Sequence, residues 1–259
     1  MDLGIAGRRA AVAASSGGLG LSTARALVAE GVHVAICGRD PARLATAAAE
    51  LTALASPAPG GRAATVDALD ADVGSADGGA GFVRAARQAL GGLDIVVANA
   101  GGPPPGTATT TDLDAYRAAL DLNLLSTVGM CLEAVPDMRA QRWGRIVAIT
   151  SIGVRQPIAN LAASVTARTG ATGFLKTLAH EVAADGVTVN SIQPGSHATD
   201  RLRGLYGADL GPAAVDIPAG VVGDPDDFGA VCAFLCSEQA RFVTGTSLVV
   251  DGGASRALM

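Results

Sequence analysis

The chain has 259 residues, of which 49% are hydrophobic and only 3% aromatic, and its formal net charge is −5. This length and hydrophobicity suit one large α/β domain with a buried core, and they exclude a disordered chain. The acidic balance offers no basic surface to nucleic acid. We find no apolar run of the roughly 18 residues that a membrane span needs, so no membrane contact is expected.

Two further features concern the cellular compartment. The N-terminus lacks the cationic start and long apolar stretch of a secretion signal. The four cysteines show neither metal-ligand nor disulfide-framework spacing. We therefore expect a reduced, cytoplasmic protein without a bound metal.

The predicted elements alternate between strand and helix from the N-terminus. A strand in RAAVAAS (9–15) ends in a glycine-rich turn and leads into a helix, and a second strand follows at 33–37. Asp40 and Pro41 then supply the cap and the first position of the next helix. The turn-rich stretch 56–62 leads to a third strand, and another helix precedes the fourth strand in LDIVVANAG.

The second half of the chain continues this alternation. We expect a helix around 112–138, a strand at 145–150, a helix near 160–184 and a strand at 187–192. Residues 200–222 are expected to be irregular, and a helix and a last strand follow them. No linker or repeat divides the chain, so residues 1–259 are predicted to form one domain.

Strands that are continuously apolar and alternate with helices predict a parallel sheet covered on both faces. Right-handed crossovers favour a doubly wound, Rossmann-like arrangement. Ligands of such folds bind at the carboxyl ends of the strands. The glycine-rich turn, Asn99, Ser151 and the turn at Pro194 and Gly195 should therefore gather at one edge of the sheet.

A nucleotide site is indicated by AASSGGLG (13–20), which follows a strand and opens a helix. Glycines let the backbone approach a pyrophosphate, and the helix N-terminus supplies free N–H groups. Alone the motif is weak, because many strand-to-helix turns are rich in glycine. Further motifs follow it in order: ANAG at 98–101, Asn123, Ser151, QPGSHATD at 193–200 and VTGTSLVVDGG at 243–253. Together they resemble the short-chain dehydrogenase/reductase family, in particular the single-domain branch that contains 3-oxoacyl-acyl-carrier-protein reductases.

The resemblance implies a dinucleotide site. The residues that it assigns to the cofactor are Ser16, Gly18, Leu19 and Gly20 at the phosphates, Asp72 and Val73 at the adenine, Asn99 and Gly101 at the ribose, and Pro194, Gly195 and Thr199 at the nicotinamide side. Ala13 and Ala14 stand where the family has Thr-Gly, and Ala98 replaces the first Asn of NNAG. Alanine tolerates such a turn if its φ is negative.

The end of the second strand bears on the choice of cofactor. An acidic residue there pairs with a free ribose 2′-hydroxyl, whereas an arginine accepts a 2′-phosphate. Here the strand ends in Cys37-Gly38-Arg39, without an acid. This favours NADP(H) over NAD(H), with Arg39 as a bidentate donor. The alternative is a solvated arginine paired with Asp40.

The resemblance also implies a catalytic set of Asn, Ser, Tyr and Lys. Asn123 and Ser151 match the first two residues. The position thirteen residues beyond Ser151 is Ser164, where the family has tyrosine, and Arg168 stands in the place of the lysine. The set therefore reads Asn-Ser-Ser-Arg.

These replacements change the chemistry that is expected. A serine hydroxyl is a far poorer acid than a phenol, and Arg168 keeps a positive charge that could also bind the ribose. Losing general acid catalysis slows a reaction by about 10²–10⁴-fold without forbidding it. We predict an NADPH-dependent ketoreductase in which Ser151 and Ser164 bind the carbonyl oxygen and Arg168 offsets the developing charge. Water or a substrate hydroxyl would then supply the proton.

Two other functions stay open at this point: a catalytically silent NADP(H)-binding sensor or assembly protein, and a lyase or cyclase without redox chemistry. The expected substrate is a small carbonyl compound, hydrophobic or acyl-like, with His197 and Tyr206 as candidate contacts. For His197 the alternative is a loop histidine that faces solvent or holds a backbone carbonyl. The resemblance also implies a homo-oligomer, a dimer or tetramer, formed through the helices that bear Asn123 and Ser164.

Overall fold

A computed structural model describes residues 2–55 and 63–258 of the chain. The turn-rich connection expected at 56–62 lies outside the described residues. The strands are β1 (Arg9–Val12), β2 (His33–Gly38), β3 (Val66–Asp70), β4 (Ile95–Ala98), β5 (Gly144–Ile149), β6 (Val187–Pro194) and β7 (Ser247–Val250). All pairs are parallel, and the order across the sheet is β3-β2-β1-β4-β5-β6-β7. This confirms the doubly wound, Rossmann-like fold.

The helices lie on both faces of the sheet. They are α1 (Gly18–Ala29), α2 (Pro41–Leu54), α3 (Ala76–Leu90), α4 (Leu113–Leu120), α5 (Ser126–Ala140), α6 (Ala162–Val182), α7 (Asp200–Tyr206), α8 (Gly211–Ala214) and α9 (Pro225–Leu235). One buried cluster packs α1, α2 and α9 on the sheet, and another packs α3, α5 and α6 on the opposite face. Apolar side chains on both faces of the central strands explain why those strands read as continuous apolar runs.

The helix expected at 112–138 runs from Leu113 to Ala140, with a π-helical segment at Asp121–Leu125 between α4 and α5. By length and composition this run could cross a membrane, because its most apolar 18-residue window has a mean hydropathy of 1.4. Half of that window is buried within the protein, where α5 packs against α3 and α6. Such burial is typical of a core helix.

The expectation that residues 200–222 are irregular is wrong for two segments. Asp200–Tyr206 and Gly211–Ala214 are helical. The Oγ1 of Thr199 accepts a hydrogen bond from the N–H of Leu202 at 3.5 Å, as an N-cap does. Both helices are too short to show a helical period in the sequence.

Candidate active site

The carboxyl ends of β1 and β4 are joined by a side chain of the expected site. Asn99 directly follows β4, and its Nδ2 donates to the backbone oxygens of Ala13 and Ala14, at 3.2 Å each. This contact brings the ANAG turn against the glycine-rich turn. Two of the sequence motifs thus meet at the edge of the sheet where ligands of doubly wound folds bind.

The glycine-rich turn has the shape of an anion cradle. Gly17 is extended, Gly18 has a φ of +57°, and within the described chain no side chain caps the first turn of α1. The N–H groups at this helix terminus are therefore free for an anionic ligand. A methyl group on Gly20 would lie 2.7 Å from the oxygen of Ala14 and 2.8 Å from Nδ2 of Asn99, so a side chain does not fit there. The residues fit a pyrophosphate.

Ala14 does not meet the condition that the sequence suggested for it. Its φ is +46°, in the left-handed region that glycine tolerates and alanine resists. Its backbone oxygen accepts the hydrogen bond from Asn99, and its N–H lies 3.3 Å from the Sγ of Cys37. These contacts hold the turn in place although the family's glycine is missing.

Arg39, at the end of β2, is solvent-exposed, and its Nη1 lies 3.9 Å from Oδ2 of Asp72. Asp40 is not its partner, because Oδ1 of Asp40 instead caps α2 through the N–H groups of Ala42 and Arg43. The suggested Arg39–Asp40 pair is therefore wrong. Arg39 and Asp72 lie together where the resemblance puts the adenosine, and Val73 is buried beside them.

Close packing supports the adenosine side of the turn. A methyl group on Gly38 would lie 2.7 Å from Oγ of Ser16, so the end of β2 touches the glycine-rich turn. Leu19 packs against the core beneath that turn.

The expected nicotinamide side of the cleft is built from the end of β6. Pro194 ends the strand, and the N–H of Gly195 donates to the oxygen of Val250 at 2.9 Å. Thr199 then turns back over the glycine-rich turn: a methyl group on Gly18 would lie 3.7 Å from Cγ2 of Thr199. Gly101 has open space where a side chain would stand, with nothing within 4 Å.

Arg168, on α6, lies at the carboxyl edge of the sheet and donates to four oxygens. Its Nε donates to Oγ of Ser164 at 3.3 Å, and Nη1 donates to the oxygens of Ile149 and Thr150 at 2.9 and 3.2 Å. Its Nη2 reaches the oxygen of Gly101 at 3.4 Å. A guanidinium has five N–H donors, so one stays available to a ligand.

The charge of Arg168 is not balanced by any carboxylate within hydrogen-bond reach among the described residues. Burial, together with the smaller effect of the positive charge of Arg201, lowers the pKa of Arg168 to about 10. The guanidinium is still charged at neutral pH. It therefore offers a fixed positive charge inside the cleft.

Both serines of the expected catalytic set accept a hydrogen bond through oxygen. Oγ of Ser164 accepts from Nε of Arg168, and Oγ of Ser151 accepts from the N–H of Gly153 at 3.0 Å. A hydroxyl whose oxygen accepts can still donate its own hydrogen. Each serine can thus donate to a carbonyl oxygen in the cleft.

Asn123 lies in the π-helical segment and is buried. Its Nδ2 donates to the oxygen of Gly101 at 2.8 Å, the same oxygen that Arg168 approaches. Its Oδ1 is buried and has no partner within the described chain. Such an atom needs a donor, most simply an ordered water.

The two candidate substrate contacts have different surroundings. His197 is buried, its ring lies edge-on to Phe228 with centroids 5.1 Å apart, and its Nδ1 lies 3.2 Å from the oxygen of Gly195. Burial lowers the pKa of His197, so its neutral form is favoured. These contacts favour the alternative in which the histidine holds a backbone carbonyl. Tyr206 is half-exposed at the end of α7.

Two arginines near the cleft were missed by the sequence analysis. The guanidinium of Arg43 is beside Gly17: a methyl group on that glycine would lie 2.9 Å from Nη2 of Arg43, which also bonds Asp200 at 2.9 Å. The guanidinium of Arg201 packs on Gly102: a methyl group on that glycine would lie 1.8 Å from Nη1 of Arg201. Only tertiary packing brings these side chains to the site, and no sequence motif marks them.

The described part of the chain contains no group of three or more His, Cys, Asp or Glu side chains placed to hold a metal ion. All four cysteines, Cys37, Cys131, Cys232 and Cys236, are buried as free thiols. Burial raises the pKa of Cys131 to about 12, so that thiol stays protonated.

Comparison with known proteins identifies the same family along nearly the whole chain. The family model described as enoyl-(acyl carrier protein) reductase matches residues 13–255. Dehydrogenase/reductase SDR family member 4 of Oryctolagus cuniculus is 30% identical over 253 residues, which cover 96% of this chain and 94% of the relative. A 3-oxoacyl-[acyl-carrier-protein] reductase of Synechocystis sp. is 34% identical over 246 residues, which cover 94% of this chain and 95% of the relative.

Solved structures are similar as well. L-sorbose reductase from Gluconobacter frateurii, in complex with NADPH and L-sorbose, has a TM-score of 0.90 and 29% identity, with 100% of both chains covered. A 3-oxoacyl (acyl-carrier-protein) reductase from Agrobacterium tumefaciens with NADP bound has a TM-score of 0.88 and 29% identity, covering 97% of this chain and 96% of its own. The chain therefore belongs to the short-chain dehydrogenase/reductase family. It is an NAD(P)-dependent short-chain oxidoreductase.

Proposed function

We propose that the protein is an NADPH-dependent reductase of a small carbonyl compound that works without a tyrosine acid. The observation that carries this proposal is the position of Arg168, which has no carboxylate partner among the described residues. It donates to Oγ of Ser164 and to the backbone oxygen of Thr150, the residue before Ser151. Such an arrangement stabilises negative charge on an oxygen. The remainder of the substrate is expected to be hydrophobic or acyl-like.

The cofactor is expected to lie along the glycine-rich turn and to be NADP(H). Ser16, Gly18, Leu19 and Gly20 would hold the pyrophosphate, and Arg39 would bind the 2′-phosphate with Asp72 and Val73 at the adenine. NADPH- or NADP-bound structures among the similar proteins support this choice. Asn99, Gly101, Pro194, Gly195 and Thr199 would complete the site, with Arg168 near the ribose.

NADPH, when bound, would supply a hydride for the carbonyl carbon, and side chains of the protein would stabilise the negative charge on the carbonyl oxygen. Ser151 and Ser164 donate hydrogen bonds to that oxygen while Arg168 offsets its negative charge. A water or a substrate hydroxyl gives the proton that completes the alcohol. Asn123, whose Oδ1 has no partner among residues 2–55 and 63–258, would hold a water near this position.

Three other features belong to the proposal. Residues 1–259 act as one domain, in which residues 200–222 cover the substrate and Tyr206 contacts it. His197 would hold the backbone oxygen of Gly195 and so fix the conformation of the loop. The protein forms a homo-oligomer through α4, α5 and α6. The free buried thiols suit a reducing compartment, such as the cytoplasm.

The test is a panel of ketones and oxo acids with NADPH, followed by the loss of NADPH absorbance and by product analysis. Oxidation of NADPH with formation of the alcohol supports the proposal. NADPH binding without turnover of any compound would identify a silent binding protein. Conversion of a compound to product without oxidation of NADPH would identify a lyase or cyclase.

A further inference from the structure

The cleft contains a second cation that the proposed mechanism does not use. Arg201 lies on α7, two residues after Thr199, and its guanidinium rests on the backbone of Gly102. Within the described residues it forms no ion pair, and its neighbour Asp200 is bonded to Arg43 instead. An arginine in such a position has a fork of donors without a carboxylate.

Arg201 and Arg168 lie on the same side of the cleft. Arg168 reaches the oxygen of Gly101, and Arg201 covers the next residue, Gly102. The positive charge of Arg201 contributes to the lowered pKa of Arg168, so the two cations repel each other. Two like charges that lie close together, neither paired with a carboxylate in the part of the chain that the structure describes, indicate a site for an anionic ligand.

The cofactor's phosphates are a poor match for Arg201. The side chains next to the glycine-rich turn that would hold the phosphates are others, Arg43 at Gly17 and Thr199 at Gly18. Arg201 instead lies beyond them, at the turn that follows β4 and ends beside Asn123 and Arg168. This end of the site carries the proposed catalytic residues Asn123 and Arg168, and we expect the substrate there.

We propose that the substrate is an oxo acid, whose carboxylate is bound by Arg201 while its reacting carbonyl oxygen faces Ser151, Ser164 and Arg168. This inference rests on the proposed reductase function. An arginine fork matches a carboxylate with two parallel hydrogen bonds. Arg168, which the carboxylate does not occupy, would then stabilise the alkoxide, and this lessens the need for a phenolic acid.

The experiment measures binding and does not depend on turnover. The NADP⁺-loaded protein, which has no hydride to give, is titrated by calorimetry with 3-oxohexanoate and with the matching neutral amide. We expect the acid to bind about ten-fold more tightly than the amide. Arg201→Gln should remove this preference, whereas Arg203→Gln, on the same helix, should keep it.

A second variant displaces the guanidinium without changing any charge. Gly102→Ala adds a methyl group that overlaps Nη1 of Arg201, and the flexible arginine can swing away at little cost to folding. We expect this variant to lose the acid preference as Arg201→Gln does. Equal binding of acid and amide by the unaltered protein, or a preference that survives both variants, would overturn the proposal.

The cofactor provides the other decisive readout. Arg201→Gln should leave the dissociation constant of NADP⁺ unchanged within about two-fold, since its cation is assigned to the substrate. A loss of NADP⁺ affinity of about ten-fold would assign Arg201 to the cofactor's phosphates and overturn the proposal. If the acid preference is found but no ketone or oxo acid is reduced, the carboxylate site stands and the reductase function fails.

Discussion

Ala14 shows how the chain tolerates a departure from the family's pattern. The turn needs a left-handed residue at this position, and alanine adopts it at a φ of +46°. This conformation costs an alanine about 1–2 kcal/mol. The hydrogen bond from Asn99 and the packing around Gly20 hold the residue there. The backbone, more than the side chain, is thus what the nucleotide turn requires.

Replacing Ala14 with glycine should stabilise the protein. Relief of the left-handed strain exceeds the extra freedom that glycine gives the unfolded chain, which is about 0.4–1 kcal/mol. We expect the free energy of unfolding in urea to rise by about 0.5–1 kcal/mol. Ala13→Gly is the matched control: Ala13 is buried and has no positive φ, so its loss should destabilise. A similar destabilisation by both variants would contradict the strain argument.

Arg39 is the residue on which the choice between the two cofactors depends. Its side chain is exposed and only loosely paired with Asp72, so it is free to turn towards a 2′-phosphate. Arg39→Ala should raise the dissociation constant of NADPH about ten-fold and leave that of NADH unchanged, since only NADPH carries the phosphate. Fluorescence titration measures both, and Arg84→Ala on α3 is a remote control. An equal effect on the two cofactors would refute this assignment.

Among the elements, α2 is the one whose start the sequence predicts best. Asp40 and Pro41 mark it, and Oδ1 of Asp40 caps it as expected. Asp40→Ala should lower the free energy of unfolding by about 1 kcal/mol, because two N–H groups lose their acceptor. Asp77→Ala is the control, since Asp77 lies in the first turn of α3 without capping it. Equal losses of unfolding free energy in the two variants would show that negative charge near the start of a helix, and not the cap, stabilises it.

Two other elements could not be predicted from the sequence. The π-helical segment at Asp121–Leu125 depends on how the long helix packs, and nothing in the residue pattern separates it from an α-helix. It nevertheless positions Asn123 towards Gly101. α7 was missed because seven residues with an internal glycine show no clear period, although Thr199 supplies its cap.

The complete fold was predictable because its signals are repeated along the chain. Each central strand is an apolar run, and each is followed by a helix, which leaves a parallel doubly wound sheet as the expected arrangement. The convergence of the motifs at the carboxyl edge follows from the same topology. The contact of Arg201 with Gly102 could not be predicted, since it joins residues 99 positions apart through packing alone.

Exposed apolar side chains on the long helical run bear on assembly. Leu113 is 72% and Leu132 60% exposed, on α4 and α5. We expect a dimer or tetramer by light scattering, and Leu132→Glu should shift the mass towards the monomer by placing charge in the interface. Val215→Glu, at a residue 79% exposed on the substrate-covering stretch, should leave the mass unchanged. A monomeric unaltered protein would contradict the expected assembly.

The role of Arg168 is tested most directly by the rate of NADPH oxidation in Arg168→Met. The measurement uses saturating NADPH, a substrate identified from the ketone and oxo-acid panel, and Arg84→Met on α3 as the control. We predict that kcat falls about 10²–10³-fold in Arg168→Met, as when an oxyanion donor is removed, and stays unchanged in Arg84→Met. A kcat in Arg168→Met equal to that of the unaltered enzyme would contradict a guanidinium-assisted reduction.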